Sequence, residues 1–238
     1  MGDMPAVEND YDDFAEAYAA ENEASLVNAY YARPAIVELA GEVTGRRILD
    51  AGCGAGPISA ALRERGAIVS GFDLSAKMVE LARRRLGADT DLRVVDIAQP
   101  LPYPDAAFDD VVAALVLHYL EDWSGPLAEL RRVLRPGGRL FVVVNHPIIL
   151  KMERRETDYF ATTKWSEEYD FNGQQAVLTY WHRPLHAMTD AFTAAGFRIS
   201  VISEPPPSPE AHDLFPDDMA RFPSGSFLGF LFFVLEAA

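Results

Sequence analysis

Residues 46–56 read Arg-Arg-Ile-Leu-Asp-Ala-Gly-Cys-Gly-Ala-Gly, and no other stretch constrains the fold as tightly. An apolar run ends in Asp50, and glycines follow at alternate positions, Gly52, Gly54 and Gly56. That pattern predicts a short buried strand breaking into a tight turn where a ligand can approach bare backbone. Glycine turns of this kind serve many nucleotides, so the shape alone is ambiguous. The carboxylate before the turn narrows it, because an acidic side chain there repels a pyrophosphate and attracts a cation.

Downstream, strand and helix signals alternate. Helix 57–65 can carry Pro57 in its first turn. Strand 67–72 ends at Asp73, and Ser75 can cap a helix that runs to about residue 86. Strand 92–95 ends at Asp96, strand 110–115 follows, a helix over 123–134 stops at Pro136-Gly137-Gly138, and strand 139–144 comes next. This alternation predicts an α/β fold, a mostly parallel sheet with helices on both faces. Upstream, Tyr11, Phe14 and Tyr18 have the spacing of one helical face. After residue 145 the regularity stops. Residues 150–184 are polar, yet hold seven aromatics between 159 and 181. Phe171-Asn172-Gly173-Gln174 reads as a hairpin turn. A helix over 184–195, a strand over 197–203, a proline-rich loop over 204–209 and a last strand over 226–235 complete the chain.

Asp50, Asp73 and Asp96 each end one of the first three strands, and ligands of open parallel sheets bind beyond such ends. Asp73 lies 21 residues after Gly52, at the tip of the neighbouring strand. A carboxylate there can accept from two vicinal ribose hydroxyls. Asp96 can accept from an adenine amine, and Met78 can lie against the adenine face. No role here needs a phosphate. The dinucleotide pattern Gly-x-Gly-x-x-Gly fits less well, since its third glycine falls on Pro57.

The 238 residues carry a formal net charge of −15, with eight acids and no Lys or Arg in residues 1–23. That balance argues against nucleic-acid binding through a basic face and against docking on an anionic membrane. Cys53 is the single cysteine, which fits a reducing compartment. With no secretory leader pattern and no apolar run of roughly 18–20 residues, the expectation is a cytoplasmic protein, monomer or homodimer, without a metal.

Five segments in order resemble the class I S-adenosylmethionine-dependent methyltransferases. They are Ile48 through Gly56; Gly71-Phe72-Asp73-Leu74-Ser75; Asp96-Ile97; Phe108-Asp109-Asp110-Val111-Val112 with Leu117-His118-Tyr119-Leu120; and Leu130 through Gly138. The likeness is strong over 45–145. Residues 182–197 also look like the later part of small-molecule members. The resemblance implies a Rossmann-like seven-stranded sheet with one antiparallel late strand, forming one domain. Within it, 1–44 would be a helical cover, 45–145 the cofactor core, 150–184 an acceptor-site insert and 185–238 the C-terminal helix and strands.

The resemblance also implies S-adenosyl-L-methionine as cofactor. Gly52, Gly54 and the carbonyl of Leu115 or Val116 would serve the methionine part and Asp50 the cationic end. Asp73 and Leu74 would lie at the ribose, Asp96, Ile97 and Met78 at the adenine, with Tyr11 and Tyr18 as cover. The acceptor would be a small, largely apolar or aromatic molecule under a lid that includes Phe14, Tyr30, Tyr31, Trp165 and Trp181. His118 and His146, after the fourth and fifth strands, are the candidate bases. The alternatives at this point are a nicotinamide-dependent oxidoreductase and a non-catalytic module that keeps the cofactor pocket.

Overall fold

The computed structural model describes residues 9–220 and 227–238. Residues 1–8, the first part of the acidic opening stretch, and residue 226, the expected start of the last strand, lie outside the described residues. The elements in chain order are α1 (Ala15–Ala24), α2 (Arg33–Ala40), β1 (Arg47–Ala51), α3 (Pro57–Glu64), β2 (Ile68–Asp73), α4 (Ala76–Leu86), β3 (Asp91–Val94), β4 (Phe108–Ala114), α5 (Ser124–Val133), β5 (Leu134–Asn145), α6 (Ile148–Glu153), β6 (Thr163–Phe171), β7 (Gln174–His182), α7 (Leu185–Ala194), β8 (Phe197–Ser203), α8 (Ala211–Leu214), α9 (Pro216–Ala220) and β9 (Phe230–Ala237). A 3-10 turn, Tyr11–Asp13, precedes α1, and a second one, Leu117–Tyr119, follows β4.

Among the described residues the main sheet has seven strands in the order β3-β2-β1-β4-β5-β9-β8, and only β9 runs against its neighbours. The sequence expectation of one antiparallel late strand therefore holds. The strand order reverses between β1 and β4, and crevices at such a reversal are where open α/β sheets hold ligands.

Alternation along the strands builds two apolar layers. On β9, Leu231, Phe233 and Leu235 join one layer with Trp123, Leu127, Leu130 and Phe192, while Phe232 and Val234 join the other with Tyr31, Ile36 and Leu62. Period-two patterning with both faces apolar is what a central strand covered on both sides requires.

The far end of the sheet carries a charged clasp. Asp110, fully buried at the start of β4, accepts from Arg46 Nε (2.5 Å) and from Arg139 Nε (2.9 Å) and Nη2 (2.8 Å). These bonds hold its carboxyl below the usual carboxylate range although burial alone would raise it.

Strands β6 and β7 pair with each other as a separate antiparallel hairpin. Asn172 and Gly173 turn it at φ 55° and 88°, the left-handed pair such a turn demands. The apolar face of the hairpin packs on the N-terminal segment, with Phe14 and Phe171 stacked at 5.5 Å. The single helical face expected for Tyr11, Phe14 and Tyr18 is broken into the 3-10 turn and α1 at Phe14, whose φ is −131°. Even so, Tyr11 meets Phe14 and Tyr18 at ring distances of 5.0 and 4.9 Å.

Candidate cofactor site

The turn after β1 folds as its glycines predict. Gly52 sits at φ +76°, and a Cβ added there would lie 2.7 Å from Val116 Cγ2, so both conformation and space require glycine. The N–H groups of Gly52 and Cys53 both donate to the Phe72 carbonyl at 2.9 Å, tying the turn to the tip of β2. At that tip Asp73 is held by two backbone donors: Gly54 N–H on Oδ2 (2.8 Å) and Ser75 N–H on Oδ1 (2.9 Å). Burial raises its carboxyl pKa, and the two N–H bonds oppose the rise. Ser75 Oγ accepts from Met78 N–H at 3.0 Å and so caps α4 as expected.

A cavity of about 480 Å³ opens beyond the tips of β1, β2 and β4. Its floor is the glycine turn with Asp73. One end is formed by Leu74, Met78, Asp96 and Ile97, and Leu115 and Val116 close the β4 side. Leu115 is held in the left-handed region at φ 56°, a conformation that costs a non-glycine residue roughly 1–2 kcal/mol. Such strain concentrates in the walls of ligand sites.

Tyr11, Tyr18 and Tyr119 roof the cavity. The Tyr11 and Tyr119 hydroxyls meet at 2.5 Å, and burial pushes the hydroxyl pKa values of all three tyrosines up. The N-terminal segment is latched down by Asp12 Oδ1, which accepts from the Ser75 hydroxyl and from Lys77 N–H (3.0 Å).

Ten of the residues expected at the cofactor line this cavity: Tyr11, Tyr18, Gly52, Gly54, Asp73, Leu74, Met78, Asp96, Ile97 and Leu115. Asp50 does not. It is 2% exposed, behind the turn, and accepts from Ser59 Oγ at 2.7 Å. Burial raises its pKa to about 6. The side chain thus faces the start of α3 rather than the ligand space.

The residues expected at the acceptor are also outside this cavity. Phe14 is buried against the hairpin, Tyr30 packs on Phe215, and Tyr31 is fully buried against Phe230 and Phe232. Trp165, Trp181, His118 and His146 line a second, smaller cavity instead. The His118 ring is buried, with Nδ1 accepting from Asn145 N–H at 3.3 Å, and burial lowers its pKa to about 3. His146 Nε2 is 2.6 Å from Glu204 Oε1. Neither histidine reaches the wall of the larger cavity.

Sequence reasoning missed Asn22, Glu23, Asn28 and Arg33, which line the larger cavity from α1, the helical turn Asn28–Ala32 and the start of α2. Arg33 Nη2 donates to the Asn22 carbonyl (2.9 Å), Nη1 meets Glu23 at 3.3 Å, and Nε is buried without a partner among the described residues. No motif marks these residues.

Residues 49–142 match the sequence family described as a methyltransferase domain. Over that segment the chain matches a methyltransferase domain, and its fold is similar to that of solved S-adenosylmethionine-dependent methyltransferases. Among curated relatives, a malonyl-[acyl-carrier protein] O-methyltransferase from Serratia marcescens is 47% identical over 94 residues, 40% of this chain and 36% of that protein. A demethylmenaquinone methyltransferase from Clavibacter sepedonicus is 38% identical over 134 residues, 56% of this chain and 55% of that protein. The chain therefore spans between about a third and a little over half of these relatives' length. The crystal structure of an S-adenosylmethionine dependent methyltransferase from Mesorhizobium loti superposes with a TM-score of 0.65 at 26% identity, covering 85% of this chain and 96% of that one.

The cavity fits S-adenosylmethionine in donor chemistry. Asp73 offers acceptors where a ribose needs them, the bare glycine backbone admits a close approach, and the orphaned Arg33 Nε suits a carboxylate.

Proposed function

We propose that the protein transfers a methyl group from S-adenosylmethionine to a small, largely apolar or aromatic molecule by in-line displacement. The observation that carries this reading is Asp73, fixed by Gly54 and Ser75 N–H beside the open glycine turn. In it, Asp73 accepts from the ribose hydroxyls, while Asp96, Ile97, Leu74 and Met78 surround the adenine. Gly52, Gly54 and the Leu115 backbone flank the methionine part, and Arg33 pairs with its carboxylate. The cofactor, when bound, supplies an electrophilic methyl group on a sulfonium. The chain's contribution is placement and exclusion of water, which can lower the barrier by roughly 7–11 kcal/mol. Tyr11, Tyr18 and Tyr119 serve the second task. Their raised hydroxyl pKa values keep them neutral, so they close the cavity without adding charge.

The acceptor class rests on the two curated relatives, whose names refer to a menaquinone precursor and to a carrier-bound malonyl group. It rests also on the chain's charge of −15, which disfavours a nucleic-acid acceptor. The test is incubation with S-adenosylmethionine bearing a deuterated methyl, together with naphthoquinols, phenols, carboxylic acids and a small-metabolite extract. Mass spectrometry should find the labelled methyl on a small molecule with stoichiometric S-adenosylhomocysteine. Tight cofactor binding with no labelled product would favour a non-catalytic cofactor-binding module.

A further inference from the structure

A row of phenols runs from the roof of the cofactor cavity into the hairpin. Tyr11 and Tyr119 line the cavity, and their hydroxyls meet at 2.5 Å. Tyr119 stacks on Tyr180 of β7 with ring centroids 5.3 Å apart, and their hydroxyls are hydrogen-bonded. The Tyr180 hydroxyl donates to Tyr169 Oη at 3.1 Å, and the Tyr169 hydroxyl donates to Glu167 Oε2 at 2.7 Å. Tyr169 and Glu167 both belong to β6, away from the cavity wall.

The carboxylate sets the direction of the row. It only accepts, and each phenol has a single proton to donate. Tyr169 spends its proton on Glu167, so it accepts from Tyr180. Tyr180 has then spent its own and accepts from Tyr119, which in turn accepts from Tyr11. Tyr18, the third roof tyrosine, is hydrogen-bonded to Tyr11 and to Asn22. Tyr11 and Tyr119 therefore have no O–H left for the cavity. What their oxygens can still offer a ligand is a lone pair.

The methyltransferase reading, on which this inference rests, gives the floor of the cavity to the cofactor and leaves the roof to the methyl acceptor. We infer that the roof selects an acceptor carrying an aryl hydroxyl, whose O–H donates to Tyr119 or Tyr11, and that Glu167 fixes this preference from a distance by orienting the row. An ether of the same shape meets no O–H from either tyrosine. Glu167 is a positioning residue, acting through three phenols rather than by contact.

The probes are phenol and anisole, which share a ring and an oxygen and differ in the O–H. Each is titrated by ligand-observed NMR against the protein saturated with S-adenosylhomocysteine. Phenol should bind at least about tenfold more tightly, because sites built to hydrogen-bond a hydroxyl reject analogues that lack it. Glu167→Gln keeps an acceptor oxygen and should keep the preference. Glu167→Lys ends the row in a donor-only group and frees the phenols to turn their protons toward the cavity. It should bring the two probes within about twofold of each other. Glu153, already coupled to position 167, favours a cation there. S-adenosylhomocysteine affinity, measured by calorimetry, should stay within about twofold in both variants. A merely structural role for Glu167 would weaken both probes alike and leave their ratio untouched. That result would overturn the inference, as would equal binding of the probes to the parent, binding of neither, loss of the preference in Glu167→Gln, or cofactor affinity that follows the substitutions. If Glu167→Lys fails to fold, Tyr169→Phe, which leaves Tyr180 without its acceptor, carries the same expectation. Failure of S-adenosylhomocysteine to bind the parent would count against the proposed function, whereas the ratio of the two probes measured without it still judges the roof.

Discussion

Asp50 shows how a residue in a recognisable motif can have a role its position does not announce. Its place before the glycine turn suggested a ligand contact, yet the side chain turns back to Ser59 and is buried. The physical reason is strand alternation, which sends Asp50 to the face that packs on α3. Its pKa of about 6 against an ordinary 3.8 means the folded state keeps the proton longer than the unfolded chain. Stability attributable to Asp50 is therefore highest below about pH 4 and falls as the pH rises to about 6, by ~3 kcal/mol. Asp50→Asn removes that titration. Thermal melts should show the variant gaining on the parent between pH 4 and 7, and parallel curves would contradict the assignment. Asp73, by contrast, lines the cavity at the strand tip where its place in the sequence puts it.

At the scale of elements, the strands and helices through residue 145 follow from the sequence to within a residue or two at most ends, because apolar runs, caps and glycine stops agree with one another. The Ser75 cap and the Asn172-Gly173 turn are cases where one side chain or one positive φ sets the boundary. The insert was less legible. Its aromatics were readable as a hairpin, but which face meets the N-terminal segment depends on distant pairs such as Phe14 with Phe171. The clasp on Asp110 joins the residue before β1 to β4 and β5 at the end of the sheet remote from the cavity. Asp110→Ala leaves two arginines facing each other and should cost about 3–5 kcal/mol. Calorimetric melting should show that loss with cofactor affinity of the folded protein unchanged. The clasp's contribution should also fade as the pH falls through the lowered Asp110 pKa, since a depressed carboxyl stabilises only while ionised.

For the whole molecule, the account is of a sheet whose crevice at the strand reversal is floored by glycines, flanked by Asp73 and covered by a latched N-terminal segment. The latch belongs to this scale because Asp12, Ser75 and Lys77 join a segment to a helix more than sixty residues away. Asp12→Ala removes two hydrogen bonds of about 1 kcal/mol or less each at this exposed position. Stopped-flow release of S-adenosylhomocysteine should speed up about fivefold, and an unchanged rate would show that the segment does not gate the cavity. The smaller cavity was the least legible, because its walls come from the β4 and β5 ends, the hairpin and α6 together, and no local pattern records that convergence. The central claim, a cavity built for a ribose-bearing sulfonium cofactor and held by Asp73, is tested most directly by isothermal titration calorimetry of the parent and Asp73→Ala with S-adenosylhomocysteine and with NADH. The account predicts saturable one-site binding of S-adenosylhomocysteine, weakened about 10- to 100-fold in the variant, as expected for lost hydrogen bonds to a charged group, and no heat from NADH. Binding of NADH without S-adenosylhomocysteine, or S-adenosylhomocysteine affinity indifferent to Asp73, would contradict it.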